Sequence, residues 1–290
     1  MAAPALHLGD HRLPRIGLGV RTGGRPDPHA TLLEVDDVVV RFGGVTAVDH
    51  ASFSAEAGRI TGLIGPNGAG KTTCFNVITG LQRPTSGAVR LQGRDVTSWP
   101  VHRRAKAGMG RTFQRLEAFG SLTVRDNVRV ACDIAAGPSS WLRRRTTDVE
   151  MLLDRVGITE HADERADAVP TGVARLLELA RALARDPRLL LLDEPSSGLD
   201  ESETDDFGML LRELADDGVA IVMVEHDMDL VMGVCDAIHV LDFGRVIASG
   251  DPSMIRTDAA VQRAYLGFAD EQADGTDPTS DTSQMEAVAP

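Results

Sequence analysis

An α/β fold with a mainly parallel central sheet is predicted by three features of the sequence. Short apolar runs at 59–64, 189–192 and 219–224 read as strands covered on both faces. Stretches of helical periodicity separate them, and strands alternating with helices are the pattern of a parallel sheet. A glycine-rich segment, 65–70, joins the first run to a helix.

The elements follow in order. Leu33–Phe42, LEVDDVVVRF, reads as a strand, and 59–64 as a buried strand entering a loop. Lys71–Gly80 fits a helix with Gly80 as its C-cap. Ala88–Leu91 alternates like a short exposed strand, and a small antiparallel β region is expected near the N-terminus. Helical periodicity dominates 101–184, where a helical subdomain is expected over about 115–184. Leu189–Leu192 and Val219–Val224 return to the sheet. Ala237–Leu241 and Arg245–Ala248 read as a hairpin about Phe243-Gly244.

With 290 residues, the chain can bury one large core. Residues 1–30 are rich in Gly, Pro, Arg and His, and 269–290 are acidic with Met285 as the one large apolar residue. Both ends are expected to be disordered, leaving one folded domain over 31–268. A net charge of -13 and a pI near 5.0 argue against broad contact with nucleic acid. Cys74, Cys132 and Cys235 are odd in number and far apart, so a reducing compartment is expected. No apolar run approaches the roughly 18 residues that span a bilayer, and Asp10, His11 and Arg12 stand where a signal peptide is apolar. A cytoplasmic chain is expected, with any membrane contact made through partners. Arg143-Arg144-Arg145 reads as a solvated helical face rather than a lipid or nucleic-acid patch.

Gly65-Pro66-Asn67-Gly68-Ala69-Gly70-Lys71-Thr72-Thr73 matches G-x-x-x-x-G-K-[ST]. Glycines let successive N–H groups face the phosphates of a nucleotide, and the following helix adds its positive end. Lys71 is placed for the β- and γ-phosphates and the Thr72 hydroxyl for Mg²⁺. Lys71 and Lys106 are the only lysines among 30 Lys and Arg residues. A lysine here, in an arginine-rich chain, points to a need for a compact ammonium.

The apolar run 189–192 ends in Asp193-Glu194. Such a pair can be a plain strand exit. It also suits a Mg²⁺ ligand acting through water, Asp193, beside a general base, Glu194. His226 follows the run ending at Val224. It can be a surface or capping residue, or it can meet the γ-phosphate and orient the attacking water.

In this order, the elements resemble the nucleotide-binding subunits of ABC transporters over about 32–268. The resemblance implies a cassette that binds ATP and Mg²⁺, hydrolyses ATP and drives integral membrane permease subunits. It implies that adenine stacks on Phe42, that Gln114 touches Mg²⁺ and senses the membrane subunit, and that Asp200 lies in a loop crossing a dimer interface. More narrowly, the stretches 41–48, 110–114, 225–232 and 263–267 resemble the branched-chain amino-acid importer group. ATPases of lipopolysaccharide export share several of these stretches. An export ATPase and a soluble non-transport ABC ATPase are therefore the alternatives. The resemblance also implies a location on the inner face of the cell membrane, held there by the permease.

One segment departs from the family. Its signature, Leu-Ser-Gly-Gly-Gln, is replaced by Val169-Pro170-Thr171-Gly172-Val173. Gly172 is kept and Thr171 offers a substitute hydroxyl, while the serine and glutamine positions hold Pro170 and Val173. In a head-to-tail dimer this segment faces the partner's ATP, so a second ATPase subunit and two unequal sites are expected. A homodimer stays open at this point.

Overall fold

In the computed structural model, which describes residues 30–114, 117–136 and 146–265, two sheets share a core and the helices pack around it. The expected tails at 1–30 and 269–290 (save residue 30), the last three residues of the expected domain, 266–268, and the run Arg143–Arg145 lie outside the described residues. Strands β1 (Thr31–Phe42) and β2 (Val45–Glu56) form an antiparallel hairpin about Gly43-Gly44. Strand β3 (Ile60–Ile64) leads through the glycine-rich loop into α1 (Lys71–Thr79), which Gly80 caps in the left-handed region at φ 83°. Strand β4 (Ser86–Leu91) pairs with β1, and β5 (Arg94–Asp95) with β4, giving a four-stranded antiparallel sheet in the order β2-β1-β4-β5. Val89 and Leu91 are buried, so β4 shows only one face to water.

Helix α2 (Val101–Lys106) precedes β6 (Met109–Arg111). Next come α3 (Val124–Ala136), α4 (Thr146–Arg155), a 3-10 turn at Thr159–His161, and α5 (Thr171–Leu183). Strand β7 (Leu189–Asp193), α6 (Glu201–Asp216), β8 (Ala220–Val224) and α7 (Met228–Val234) follow. The hairpin β9 (Ala237–Asp242) and β10 (Arg245–Gly250), then α8 (Pro252–Thr257) and a helical stretch at 259–265, complete the described chain. Helix starts are written locally. Asp200, Asp227 and Asp251 each accept backbone N–H bonds from the first turn of α6, α7 and α8, and Glu203 completes a capping box with Asp200.

The six-stranded sheet runs β10-β9-β3-β8-β7-β6, parallel except for the edge strand β10. Side chains alternate across a strand, so its apolar runs feed two cores. Leu190 and Leu192 join Ile60, Ile64, Ile221 and Met223 against α3 to α7. Leu189 and Leu191 face the other way, with Leu63, Val222 and Val224, toward α1 and the antiparallel sheet. Helices α3, α4 and α5 share the first cluster with the sheet rather than building a core of their own. Among the described residues no helix is long and apolar enough to cross a membrane. The thiols of Cys74 and Cys235 are buried, and burial pushes both up to about 12.

One buried cation holds the rear of α1. Arg104, 1% exposed, donates to the carbonyls of Val77 (2.7 Å) and Ile78 (2.5 Å) at the helix C-terminus. It also donates to Trp99 O at 3.1 Å and Thr97 O at 2.9 Å. Burial lowers its pKa to about 10, and Asp95 opposes that shift. A cation suits the negative end of a helix, so α1 is braced at one end while its positive end stays open. Replacing Arg104 with alanine leaves these carbonyls unpaired, and a loss of about 3 kcal/mol is predicted. Urea unfolding should show a lower midpoint at unchanged slope. A loss below about 0.5 kcal/mol would contradict the bracing role.

Candidate functional site

Five parallel strands, β9, β3, β8, β7 and β6, end on one edge of the sheet, where open α/β sheets place their ligands. The glycine-rich loop leaves β3 at the middle of this edge. Gly65 has φ 147°, and a Cβ there would lie 2.0 Å from Leu241 O of β9. Gly70 has φ 103°, and its Cβ would lie 2.5 Å from Ala47 O of β2. The loop is thus clasped between the two sheets at points where only glycine fits. Gly65, Pro66 and Ala69 are buried, and Asn67 and Gly68 form the exposed tip. Gly70, the N-cap of α1, offers no side-chain cap, so the first N–H groups of the helix remain for a ligand.

Lys71 is 7% exposed, and its Nζ donates to Gly65 O at 2.6 Å and Pro66 O at 2.9 Å. Desolvation lowers its pKa, and the nearby Glu194 and Asp193 carboxylates oppose that shift. The ammonium is therefore held in a buried loop and has no direct ion pair among the described residues, a setting that favours an incoming phosphate. Thr72 is exposed on the first turn of α1, and Thr73 is half-buried.

The two acids at the end of β7 have different neighbours. Asp193 is buried and accepts from Arg111 Nη2 at 2.9 Å. The same guanidinium donates to Asn76 Oδ1 (2.9 Å) and Thr79 Oγ1 (3.3 Å) of α1 and lies 4.8 Å from the Phe113 ring centre. Glu194 turns away, with φ 48° in the left-handed region that a non-glycine residue seldom occupies. Its Oε2 accepts from Gln114 Nε2 at 2.8 Å, and its Oε1 lies 3.0 Å from His226 Nε2. Two residues that stand far apart in sequence, Gln114 and His226, are thus brought onto the Glu194 carboxylate.

Glu225, 3% exposed, ties the His226 turn to the Glu194 turn. Its Oε1 accepts from Ser196 N at 2.7 Å and its Oε2 from His226 N at 3.0 Å. Sequence reasoning missed Arg111 and Glu225, although each lies in a quoted run beside a residue it did find. Arg111 meets Asp193 of β7 and Asn76 and Thr79 of α1, and Glu225 meets Ser196 beyond β7, and contacts between separate elements are not written in local spacing.

The remaining expected residues fall as follows. Phe42 is half-exposed at the end of β1, on the hairpin whose Ala47 carbonyl backs Gly70. Asp200 caps α6 within its own chain. Thr171 begins α5 and is exposed, and Gly172 is buried. Val173 is 1% exposed and belongs to the core, so the signature's glutamine position holds a packing residue. Pro170 gives α5 no side-chain cap, which leaves the helix's first-turn N–H groups as donors.

The Thr72 hydroxyl, Asp193 carboxylate and Gln114 amide supply hard oxygen donors of the kind Mg²⁺ takes. No group of three or more His, Cys, Asp or Glu side chains stands ready to hold a metal among the described residues.

The profile of the family described as ABC transporter matches residues 48–197. That of the branched-chain amino acid ATP-binding cassette transporter matches residues 245–267. The chain is 39% identical over 251 residues to the high-affinity branched-chain amino acid transport ATP-binding protein BraF of Pseudomonas aeruginosa, covering 82% of this chain and 98% of that protein. Identity to LivG, of the same description, from Escherichia coli strain K12 is 39% with the same coverage. Among solved structures, the ADP conformation of an ATP-binding cassette of an ABC transporter superposes with a TM-score of 0.74. That pair shares 28% identity over 82% of this chain and 99% of the other. A nucleotide-free cassette superposes with a TM-score of 0.73, again at 28% identity, over 81% of this chain and 99% of the other. Within the second matched segment, burial pushes the Tyr265 hydroxyl up while the Gly65 backbone N–H opposes the shift, so the last helical stretch reaches the loop.

The loop geometry yields a direct prediction. Lys71→Arg keeps the charge but places a planar fork where two carbonyls hold a compact ammonium. Binding of a fluorescent nucleoside triphosphate should weaken by about tenfold or more. Wild-type affinity in this variant would contradict the reading of the loop.

Proposed function

This chain belongs to the ABC transporter ATP-binding family, and we propose from that premise that it hydrolyses ATP to energise import of branched-chain amino acids or related small polar solutes through integral membrane permease subunits. The observation that carries the catalytic part is Glu194, set at the end of β7 with His226 Nε2 at 3.0 Å and Gln114 Nε2 at 2.8 Å. The transport part rests on the descriptions of BraF and LivG and on the matched segment 245–267.

In this reading the N–H groups of Gly65–Thr73 and the positive end of α1 receive the phosphates, and Phe42 receives the adenine ring. Lys71 leaves its two carbonyls for the β- and γ-phosphates. Thr72, Asp193 and Gln114 would hold a Mg²⁺ ion, which would supply charge neutralisation at those phosphates. Arg111 keeps the Asp193 carboxylate directed at the end of β7. Glu194 accepts a proton from the attacking water, and His226 orients that water against the γ-phosphate. Gln114 must release Glu194 for this step. The loop carrying Gln114 is thereby a natural point for the permease to report its state.

The site is completed by a second cassette, whose signature closes over the ATP held here. This chain offers that partner only the backbone N–H groups of α5, Thr171 and Gly172, because Val173 is spent in the core. In this reading its own Lys71, Asp193, Glu194 and His226 serve the ATP that it holds. We therefore assign the stronger hydrolytic site to this chain's phosphate loop, in a hetero-dimer seated on the inner face of the membrane through the permease.

Glu194→Gln in the reconstituted transporter tests this. ATP turnover is predicted to fall by about 100-fold or more with ATP binding retained. Survival of most of the turnover would place the stronger site on the partner.

A further inference from the structure

Helix α5 has lost the polar signature side chains at Pro170 and Val173, yet one face of its next turns is charged and buried. Arg175 and Glu178 have side chains only 9% and 6% exposed. Arg175 Nη1 donates to Gln114 O at 3.1 Å, and its Nε donates to Ser197 O at 3.2 Å. Glu178 lies 3.5 Å from the same guanidinium through Oε2, and its Oε1 accepts from Glu117 N at 2.8 Å. One turn further, Arg181 Nη1 donates to Glu117 O at 2.6 Å. Positions 175, 178 and 181 fall on one side of a helix, and each of the three also bonds to backbone of a neighbouring loop.

Buried charge is costly and is kept where it is fully paired. Here Arg175 meets the carbonyls of two loops, and among the described residues no strand pairing joins them at these points. Gln114 lies beyond β6, and Ser197 lies three residues beyond Glu194. A single guanidinium spans both, and Gln114 in turn reaches Glu194 through its side chain.

We propose that Arg175 is a positioning residue, fixing the Gln114 loop against the Glu194 loop so that the two side chains meet. The proposal rests on the ATPase reading above and deepens it. The retained work of the degenerate signature helix is to align this chain's own catalytic loops. Arginine is required because its fork spans two carbonyls at once, whereas a lysine ammonium is a point donor. Phosphate binding by Lys71 and the N-terminus of α1 does not pass through this contact, so its loss separates turnover from affinity.

The test uses the full-length chain with its permease and partner ATPase, comparing wild type, Arg175→Ala and Arg175→Lys. For folded variants, melting within about 3 °C of wild type, kcat should fall about tenfold or more in Arg175→Ala while KM for ATP stays within about twofold. Arg175→Lys should fall between. Amide hydrogen exchange, read without nucleotide, should rise together in the peptides carrying Gln114 and Ser197. If Arg175→Ala does not fold, Arg175→Lys carries both readouts. A folded variant with kcat within about twofold of wild type, or with exchange raised in only one of the two loops, overturns the proposal. Should the wild-type assembly show no ATP turnover, the functional reading falls, and the paired exchange result still decides whether Arg175 fastens the loops.

Discussion

The structure depends on keeping one ammonium, that of Lys71, buried inside a loop where it donates to the carbonyls of Gly65 and Pro66. An isolated charge in such a place is unfavourable unless the surroundings are fixed around it. The fixing comes from both sheets. Strand β9 crowds Gly65 through Leu241 O, and β2 crowds Gly70 through Ala47 O. Behind the loop, α1 is braced by the buried Arg104. The open position in this arrangement is at the N-terminus of α1, where an anion is wanted.

The two neighbouring acids show how local geometry divides labour. β7 is buried along its length, and Asp193, its last residue, stays in the sheet, where Arg111 of β6 reaches it. Glu194 breaks from the strand with a positive φ that swings its carboxylate to the side, toward Gln114 and His226. An acid facing a guanidinium and an acid facing an amide and an imidazole follow from a single backbone turn. The buried Glu225 then keeps the His226 turn in step with that turn.

Much of this was legible in the sequence, and the exceptions share a cause. The phosphate loop, α1 with its Gly80 cap, the apolar strands and the β9–β10 hairpin are local patterns, and they were read directly. Strand β2 was missed because VTAVDHASFSAE mixes small and polar residues, and its burial comes only from pairing with β1. Strand β6 is three residues long, too short for any period, and it interrupts a region read as helical. The roles of Arg111, Glu225 and Arg175 were hidden because each is defined by a partner from another element. Val173 was read as a lost donor, and the structure supplies the reason, since its side chain completes the core.

The central claim is that this chain's own phosphate loop, with the carboxylates beyond it, is the hydrolytic site of an asymmetric pair. Photolabelling of the assembled transporter with an azido-ATP analogue, trapped after turnover by vanadate, tests it most directly. The account predicts that the trapped nucleotide labels this chain, with label removed by Lys71→Arg in this chain alone. Label confined to the partner ATPase would contradict it.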